Sequence, residues 1–468
     1  MDTIENRTFD ELRVGDSASL TRTLTREDIQ LFAVMSGDVN PAHLDDEYAR
    51  SDMFHKVIAH GMWSGALIST VLGTQLPGPG TIYLGQSLRF LKPVGLGDSV
   101  TVTLTVARLD PAKRRVALDC VVSNQDHEQV VTGSADIIAP AEKIARARVT
   151  LPEVSLRERG VRYRALLEAA RDAPRIRTAV VHPVDTISLL GAIEAARQGL
   201  IEPVLVGPET RIRRAAEEAA VDLADLRIVP TEHSHAAAAA AVALARRGEV
   251  QALMKGALHT DELMRAVLAR SEGLRTGRRA SHVFAMDVPT YPRPLFITDA
   301  AVNIYPSLED KRDIVQNAID LAHALGIATP CVAILSALET VYPKIASTIE
   351  AAALCKMAQR GQIRGAVVDG PMAFDLAVSR DAAAAKGFVS PVAGCADILV
   401  VPDLEAGNML AKQLEYLAEA QVAGIVLGAR VPIILTSRAD EPLARLASCA
   451  LAVLLGRSQS APSVIGTP

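Results

Sequence analysis

From residue 161 onward the chain repeats one pattern: a short apolar run, a polar or glycine exit, then, in most cases, ten or more residues of helical periodicity. The runs are "TAVVHP", "PVLVG", "ALMKG", "PLFITD", "VAILSA", "GAVVDG", "ILVVPD" and "VPIILTS". Parallel strands cannot be joined by a tight turn and need a crossover connection, so this alternation predicts βαβ units and a parallel sheet. Eight runs between residues 161 and 468 imply two lobes.

Residues 1–140 read differently. "DSVTVTLTVARLD" alternates Val100, Val102, Leu104 and Val106 with smaller or polar residues, the period of a half-buried strand. "RRVALDCVVSNQD" and "EQVVTGSADIIAP" follow as two more strands with polar turns between. "HGMWSGALISTVLGTQL" reads as a helix apolar nearly all round, hence buried. A buried helix with a run of antiparallel strands predicts an α+β layer fold. Ala141 to Gly160 is charged and carries Pro152, and we read it as a linker.

Composition narrows the function classes. Net charge is −5, so no overall basic field points to nucleic acid, and aromatics at 3% argue against base-stacking surfaces. The start "MDTIENRTFDELRVGD" is acidic and polar, unlike a signal peptide, and no apolar run is long enough to span a membrane. The five cysteines form no C-x-x-C pair, so we expect reduced thiols and a cytoplasmic protein.

"SGDVNPAHLDDEYA" concentrates chemistry. "REDIQLFAVMSG" before it predicts an amphipathic helix with Ile29, Phe32, Ala33 and Met35 on its apolar side, ending near Gly37. Pro41 lacks an N–H and pushes Asn40 out of the helical region, so Asp38 to His43 is expected to form one fixed turn. Such a turn can aim a carboxylate and an imidazole at a water or a reacting carbon. The same residue types also serve as caps and surface groups.

"FAVMSGDVNPAHLDDEYA", "VIAHGMWSGALIS" and "YLGQSLRFLKPVGLGDSVTV" together resemble the MaoC-like dehydratases, the (R)-specific enoyl-CoA hydratases of hot-dog fold. The resemblance covers nearly the whole first domain. It implies that Asp38 and His43 are the catalytic pair around a water that adds to a trans-2-enoyl-CoA, with Asn40 in the same motif. It implies a supporting role for Ser69, and that backbone N–H groups at Gly61, opening the helix, polarise the thioester carbonyl. It also implies at least a dimer. Ala42 replaces the usual aliphatic residue before the histidine, and Met62 and Trp63 are read as core residues that could also line the acyl pocket.

In the second half, ligands of a parallel sheet are expected beyond the strands' carboxyl ends. "ALMKGALHTDELMRAVL" puts Lys255 at a strand end, Thr260 at a helix start and Arg265 within the helix, groups suited to phosphate. "VPIILTSRADEPLARL" puts Ser437 and Arg438 just past a strand, with Pro442 in the first turn of the next helix. Ordinary helix capping with a solvated arginine fits either segment as well.

"VVDGPMAFDLAVS", "SPVAGCADILVVPDLEAGNMLAKQLEYL" and "TSRAD" resemble the phosphate acetyltransferase and butyryltransferase family over about Val161 to Leu455. The resemblance implies two α/β lobes with the site in their cleft, lobe I being about 161–288 plus 435–468 and lobe II about 289–434. It implies that Ser437 and Arg438 bind an acyl phosphate and that a nearby aspartate deprotonates the CoA thiol. The position six after Arg438 is Ala444, so Asp440 is the nearest candidate.

The expected chain is thus a hot-dog domain (1–140), a linker (141–160) and a two-lobed α/β domain (161–468). It takes CoA thioesters and phosphate as substrates, needs no metal or redox cofactor, and forms a homo-oligomer. A hydratase joined to a non-catalytic CoA-binding or oligomerising scaffold is the alternative. "EHSH" at Glu232–His235 lacks the ligand spacing of a metal site and is read as a loop. The basic "LRTGRRASH" is read as a solvated loop within reach of a CoA phosphate, and Ser307 to Asp310 as a capping box.

Overall fold

A computed structural model describes residues 3–154, 156, 159–436 and 441–460, and the chain divides into two units, residues 1–157 and 158–468. In the first unit strands β1 (Thr3–Glu5) and β2 (Ser17–Thr23) precede helix α1 (Arg26–Ser36). A capping box starts α1: the Thr25 hydroxyl accepts from the Asp28 N–H at 3.1 Å, and the Asp28 carboxylate accepts from the Thr25 N–H at 3.1 Å. Gly37 ends it in the left-handed conformation with φ 75°. Ile29 and Ala33 are buried, but Met35, expected on the same side, is 74% exposed. It stands about 200° round the helix from Ala33, facing away from the core.

The expected single turn from Asp38 to His43 is instead two pieces. Asn40 caps a short helix α2 (Pro41–Leu44), its side chain accepting from the Ala42 N–H at 3.1 Å, with Pro41 at the first helical position. The missing proline N–H is no loss there, and its fixed φ suits a helix start. Helix α3 (Asp46–Ser51) follows, then α4 (Gly61–Thr74).

Strands β3 (Ile82–Phe90), β4 (Ser99–Asp110), β5 (Arg115–Ser123) and β6 (Gln129–Ile138) join β2 in an antiparallel sheet of order β2-β4-β5-β6-β3. Val100, Val102, Leu104 and Val106 of β4 point to one face and are buried, as the alternation requires. Trp63, Leu67, Ile68, Val71 and Leu72 of α4 share their core. The helix is not buried all round: Met62, Ala66, Ser69, Thr70 and Gly73 are exposed, because a sheet covers only one side of a helix lying on it. Strand β7 (Ala145–Ala147) pairs antiparallel with β1, Thr3 opposite Ala147. Part of the expected linker is therefore a strand of the first unit.

The second unit is built on one eleven-stranded sheet. Helix α5 (Val161–Arg171) precedes β8 (Ile176–Val181), β9 (Ile201–Gly207), β10 (Arg227–Pro230) and β11 (Ala252–Lys255). These four are followed respectively by α6 (Thr186–Arg197), α7 (Glu209–Glu218), α8 (Ser234–Arg246) and α9 (Thr260–Val267). Then come β12 (Ser281–Asp287), β13 (Leu295–Thr298), α10 (Leu308–Ala324), β14 (Cys331–Leu335), β15 (Val367–Met372), β16 (Ile398–Val400), β17 (Gln421–Leu427) and β18 (Ile433–Ile434). Their order is β10-β9-β8-β11-β18-β17-β12-β13-β16-β14-β15.

The eight apolar runs are all strands; β10, β12 and β17 are additional. The expected parallel sheet is mixed, since β12 runs antiparallel to both β13 and β17, and β17 antiparallel to β18. The capping box at Ser307 opens α10, the Ser307 hydroxyl accepting from the Asp310 N–H at 3.2 Å. The C-terminal helix (Pro442–Ser460) buries Ala447, Cys449, Ala450 and Leu451 in the core that also holds Tyr163 of α5.

His282 of β12 is 1% exposed, its ring edge-on to Phe284 at 4.3 Å, and its Nδ1 has no hydrogen-bond partner among the described residues. Burial pushes its imidazole down to about 3. The unfolded chain binds a proton there below about 6.5 and the folded chain does not, so stability is lost as pH falls from about 6.5 towards 3. Calorimetry of the full chain at pH 4 to 7 is expected to show a lower Tm for the second unit on the acid side, with His282→Phe reducing the slope by about one proton.

Candidate active sites

In the first unit three consecutive local elements carry the polar groups. Asp38 follows the Gly37 cap, His43 sits on α2, and His60 immediately precedes α4. One polar atom from each lies within 4.8 Å of the others. Asp38 is exposed, and its carboxylate accepts from the Asn40 N–H at 3.2 Å. His43 Nδ1 lies 3.0 Å from the Ile58 carbonyl oxygen. A carbonyl only accepts, so Nδ1 donates there, and in the neutral ring the lone pair is on Nε2.

A cavity of about 290 Å³ adjoins the pair, lined among others by His43, His60, Gly61, Ser64, Phe90 and Val94. Gly61 opens α4, and no side chain caps that helix end. A Cβ at Gly61 would meet Phe90 Cε1 at 3.1 Å, so glycine leaves the mouth open. The structure thus brings Asp38, His43 and Gly61 to one place, while Asn40 is exposed, its side chain capping α2, and is not among the cavity's lining residues. Ser69 lies further along α4 on its exposed side and is not among the cavity's lining residues; Ser64, buried, is. Sequence reasoning missed Ser64 and His60, although the "AHGMWS" string that carries them immediately flanks Gly61.

In the second unit β10, β9, β8 and β11 run parallel, so their carboxyl ends and the starts of α6 to α9 gather at one edge. Lys255 ends β11, and the Gly256 N–H donates to the Val181 carbonyl at 2.9 Å. Thr260 begins α9. A cavity of about 880 Å³ is lined by Thr260, Arg265, Arg270, Met264, Ala301 and Val302, with Asp261 3.7 Å from Arg265. The structure therefore brings Thr260 and Arg265 to one cavity, while Lys255 is not among its lining residues.

The opposite wall is shaped by a residue sequence reasoning missed. Asp299, buried at the end of β13, accepts from the N–H groups of Ala301 and Val302 at 3.0 Å and of Asn303 at 3.2 Å. Burial pushes its carboxyl above the usual range, and those donors pull the other way. Arg279 Nε donates to the Asn303 side chain at 2.6 Å. The signal available was an aspartate directly after an apolar run in "FITDAAVN".

Ser437, Arg438 and Asp440 lie outside the described residues. The chain approaching them leaves β18, which pairs parallel with β11, Met254 opposite Ile434. Leu435 and Thr436 thus exit at the same edge as Lys255 and Gly256. Ala444 is buried.

The basic cluster is an exposed loop, as expected, and two of its arginines have acidic neighbours. Arg278 pairs with Asp320, and Arg279 lies 3.6 Å from Asp310, both acids belonging to α10. His233 of "EHSH" caps α8, its Nδ1 accepting from the Ala236 N–H at 3.2 Å.

Comparison with known proteins agrees with this division. Residues 14–128 match the family described as MaoC like domain, and residues 231–453 that described as Phosphate acetyl/butaryl transferase. A phosphate acetyltransferase of Rhizobium meliloti is 63% identical over 304 residues, 65% of this chain and 96% of that protein. A branched-chain phosphotransacylase from Enterococcus faecalis V583 matches in structure with TM-score 0.53 and 30% identity, over 60% of this chain and 98% of its own. The R-hydratase PhaJ1 from Pseudomonas aeruginosa matches 33% of this chain and 99% of its own at 50% identity, with TM-score 0.32. The chain belongs to the phosphate acetyl/butyryl transferase family and carries a MaoC-like hot-dog domain ahead of that part.

The loop that forms the second cavity's wall hangs on one carboxylate. Asp299→Ala leaves three backbone donors without their acceptor, each costing about 1–3 kcal/mol. Denaturant unfolding of the second unit is expected to show a loss of at least about 3 kcal/mol, with Asp299→Asn milder because it keeps one acceptor oxygen.

Proposed function

We propose that the chain is a fusion of two acyl-CoA enzymes: an (R)-specific enoyl-CoA hydratase and a phosphate acyltransferase. The observation that carries the first activity is the meeting of Asp38 and His43 beside an uncapped helix start and an acyl-sized cavity. A water held between them gives a proton to His43 Nε2 as its oxygen bonds to C3 of a trans-2-enoyl-CoA. His43 then returns that proton to C2, so that H and OH of one water have added across the double bond and the 3-hydroxyacyl-CoA is formed. The Gly61 N–H stabilises the charge that develops on the thioester oxygen.

Family membership carries the second activity. A phosphate oxygen attacks the thioester carbonyl, CoA leaves as thiolate, and an acyl phosphate forms. Ser437 and Arg438 hold the phosphoryl group, Asp440 handles the thiol proton in the reverse direction, and Lys255, Thr260 and Arg265 supply contacts to CoA or phosphate. Neither reaction, so written, calls for a metal or redox cofactor. Acetyl is the acyl group favoured by the 63% identity to an acetyltransferase.

The protein on this reading is cytoplasmic; no helix among the described residues is long and apolar enough to cross a membrane. It is also a homo-oligomer. Among the described residues strand β3 is the last of its sheet, with Ile82, Leu84 and Phe90 exposed, a surface a second copy can cover. Light scattering is expected to give at least a dimer, and a strictly monomeric, fully active protein contradicts it.

Crotonyl-CoA hydration and phosphate-dependent CoA release test both halves in one preparation. His43→Ala and Asp38→Asn are expected to lower hydratase kcat at least about a hundredfold while leaving acyl transfer alone. Arg438→Lys should lose much of the acyl transfer and Arg438→Ala more, on the order of a hundredfold, since a guanidinium holds phosphate in bidentate fashion and an ammonium does not. Arg438→Ala matching wild type sinks the phosphate-site assignment. Wild type without phosphate-dependent turnover leaves the second half a CoA-binding or oligomerising scaffold.

A further inference from the structure

His60 is enclosed in the first site, 2% exposed. Its Nε2 lies 3.0 Å from the backbone carbonyl oxygen of Asp38, so it donates there. Its ring stacks on Phe32, 4.9 Å away at 29°, and lies tilted against His43, 4.0 Å away at 37°. Its Nδ1 is buried and has no hydrogen-bond partner among the described residues. Its own backbone is the cap residue of α4, and the next N–H is that of Gly61.

One imidazole therefore touches three parts of the site that come from separate elements: the chain after α1, the ring on α2 and the start of α4. Asp38 is exposed and α2 is a single turn, so neither holds itself in place. A short helix has too few internal hydrogen bonds to fix a ring by itself. The donor bond sets the height of the Asp38 backbone, and the ring contact, together with the Nδ1 bond to the Ile58 carbonyl, sets the plane of His43. Both are set relative to the helix start that meets the thioester oxygen.

We propose that His60 is a positioning residue for hydration, holding the Asp38–His43 pair in register with the Gly61 N–H. This rests on the hydratase reading of the domain. His60 touches no reacting atom and acts through the geometry of the two groups it holds. Misplacement by about 1 Å in such an arrangement can cost on the order of a hundredfold in rate.

The two functions of the ring can be separated. His60→Phe keeps the stack and loses the donor; His60→Gln keeps a donor of similar reach and loses the stack. In the full chain, His60→Phe is expected to lower crotonyl-CoA kcat at least about tenfold with KM within about twofold of wild type. His60→Gln should recover a measurable part of that loss. Phosphate-dependent acyl transfer, measured in the same samples, reports that the second unit is folded, and the Tm of the first unit reports on the first. His60→Phe with wild-type kcat overturns the proposal, as does equal loss in both variants accompanied by a lower Tm of the first unit.

A second readout does not depend on turnover. In the 13C-histidine-labelled protein, the His43 imidazole resonance should move in His60→Phe, even if wild type hydrates no enoyl-CoA. In that last case the hydratase reading fails by itself, and an unmoved His43 resonance overturns the positioning role separately.

Discussion

The sheet of the second unit is held together by two residues. Ile433 and Ile434 form β18, which lies between β11 and β17. Both are fully buried. On one side β18 pairs parallel with β11, on the other antiparallel with β17. A two-residue strand offers few ladder bonds, so its place depends on burying both isoleucines and on the helix that follows. That helix supplies Cys449, Ala450 and Leu451 to the core, and its Ser448 hydroxyl accepts from the Gly424 N–H of β17 at 3.1 Å. The late-arriving end of the chain thus fills the middle of the sheet. It also delivers Leu435 and Thr436 to the edge where Lys255 and Thr260 already stand.

The first unit obeys a simpler constraint. One helix lies on a five-stranded sheet, and the helix start must be left open for the site while its far side is left open to the surroundings. Trp63, Leu67, Ile68 and Val71 face the sheet. The opposite side keeps small or flexible residues, Ala66, Ser69, Thr70 and Gly73. The helix composition is apolar enough to read as wholly buried, and only the one-sided sheet shows which residues are not.

How far the fold was legible depends on which physical signal each element carries. β4 and β5 alternate cleanly because only one face is buried, so period two is visible. β8, β9 and β11 are continuous apolar runs followed by helices, the mark of a strand buried on both faces. β12 hid because it carries Ser281, His282 and Asp287 into the interior and pairs antiparallel on both sides. β17 hid because "QVAGIVLGARVPII" is a hairpin with β18, and reading only its second half as an apolar run made the sheet look parallel throughout. β1 and β7 are three residues each, too short for any period to show.

The two sites differ in the same way. Asp38, His43, His60, Gly61 and Ser64 come from within one stretch of fewer than thirty residues, so spacing and breaks in periodicity already bring them near one another. What spacing could not show is orientation: that His60 turns its Nε2 to a backbone carbonyl, or that Ser64 rather than Ser69 faces the cavity. The second cavity takes Thr260 and Arg265 from one strand–helix unit and Ala301 and Val302 from another. Between them lies β12, running antiparallel to its neighbours on both sides. No local pattern links those segments; the link is the order of strands, and that order is set by Ile433 and Ile434. Residues that act through backbone donors, such as Asp299, are the least visible of all. Their partners are N–H groups that every sequence has, and only the loop's shape shows that three of them need the same carboxylate.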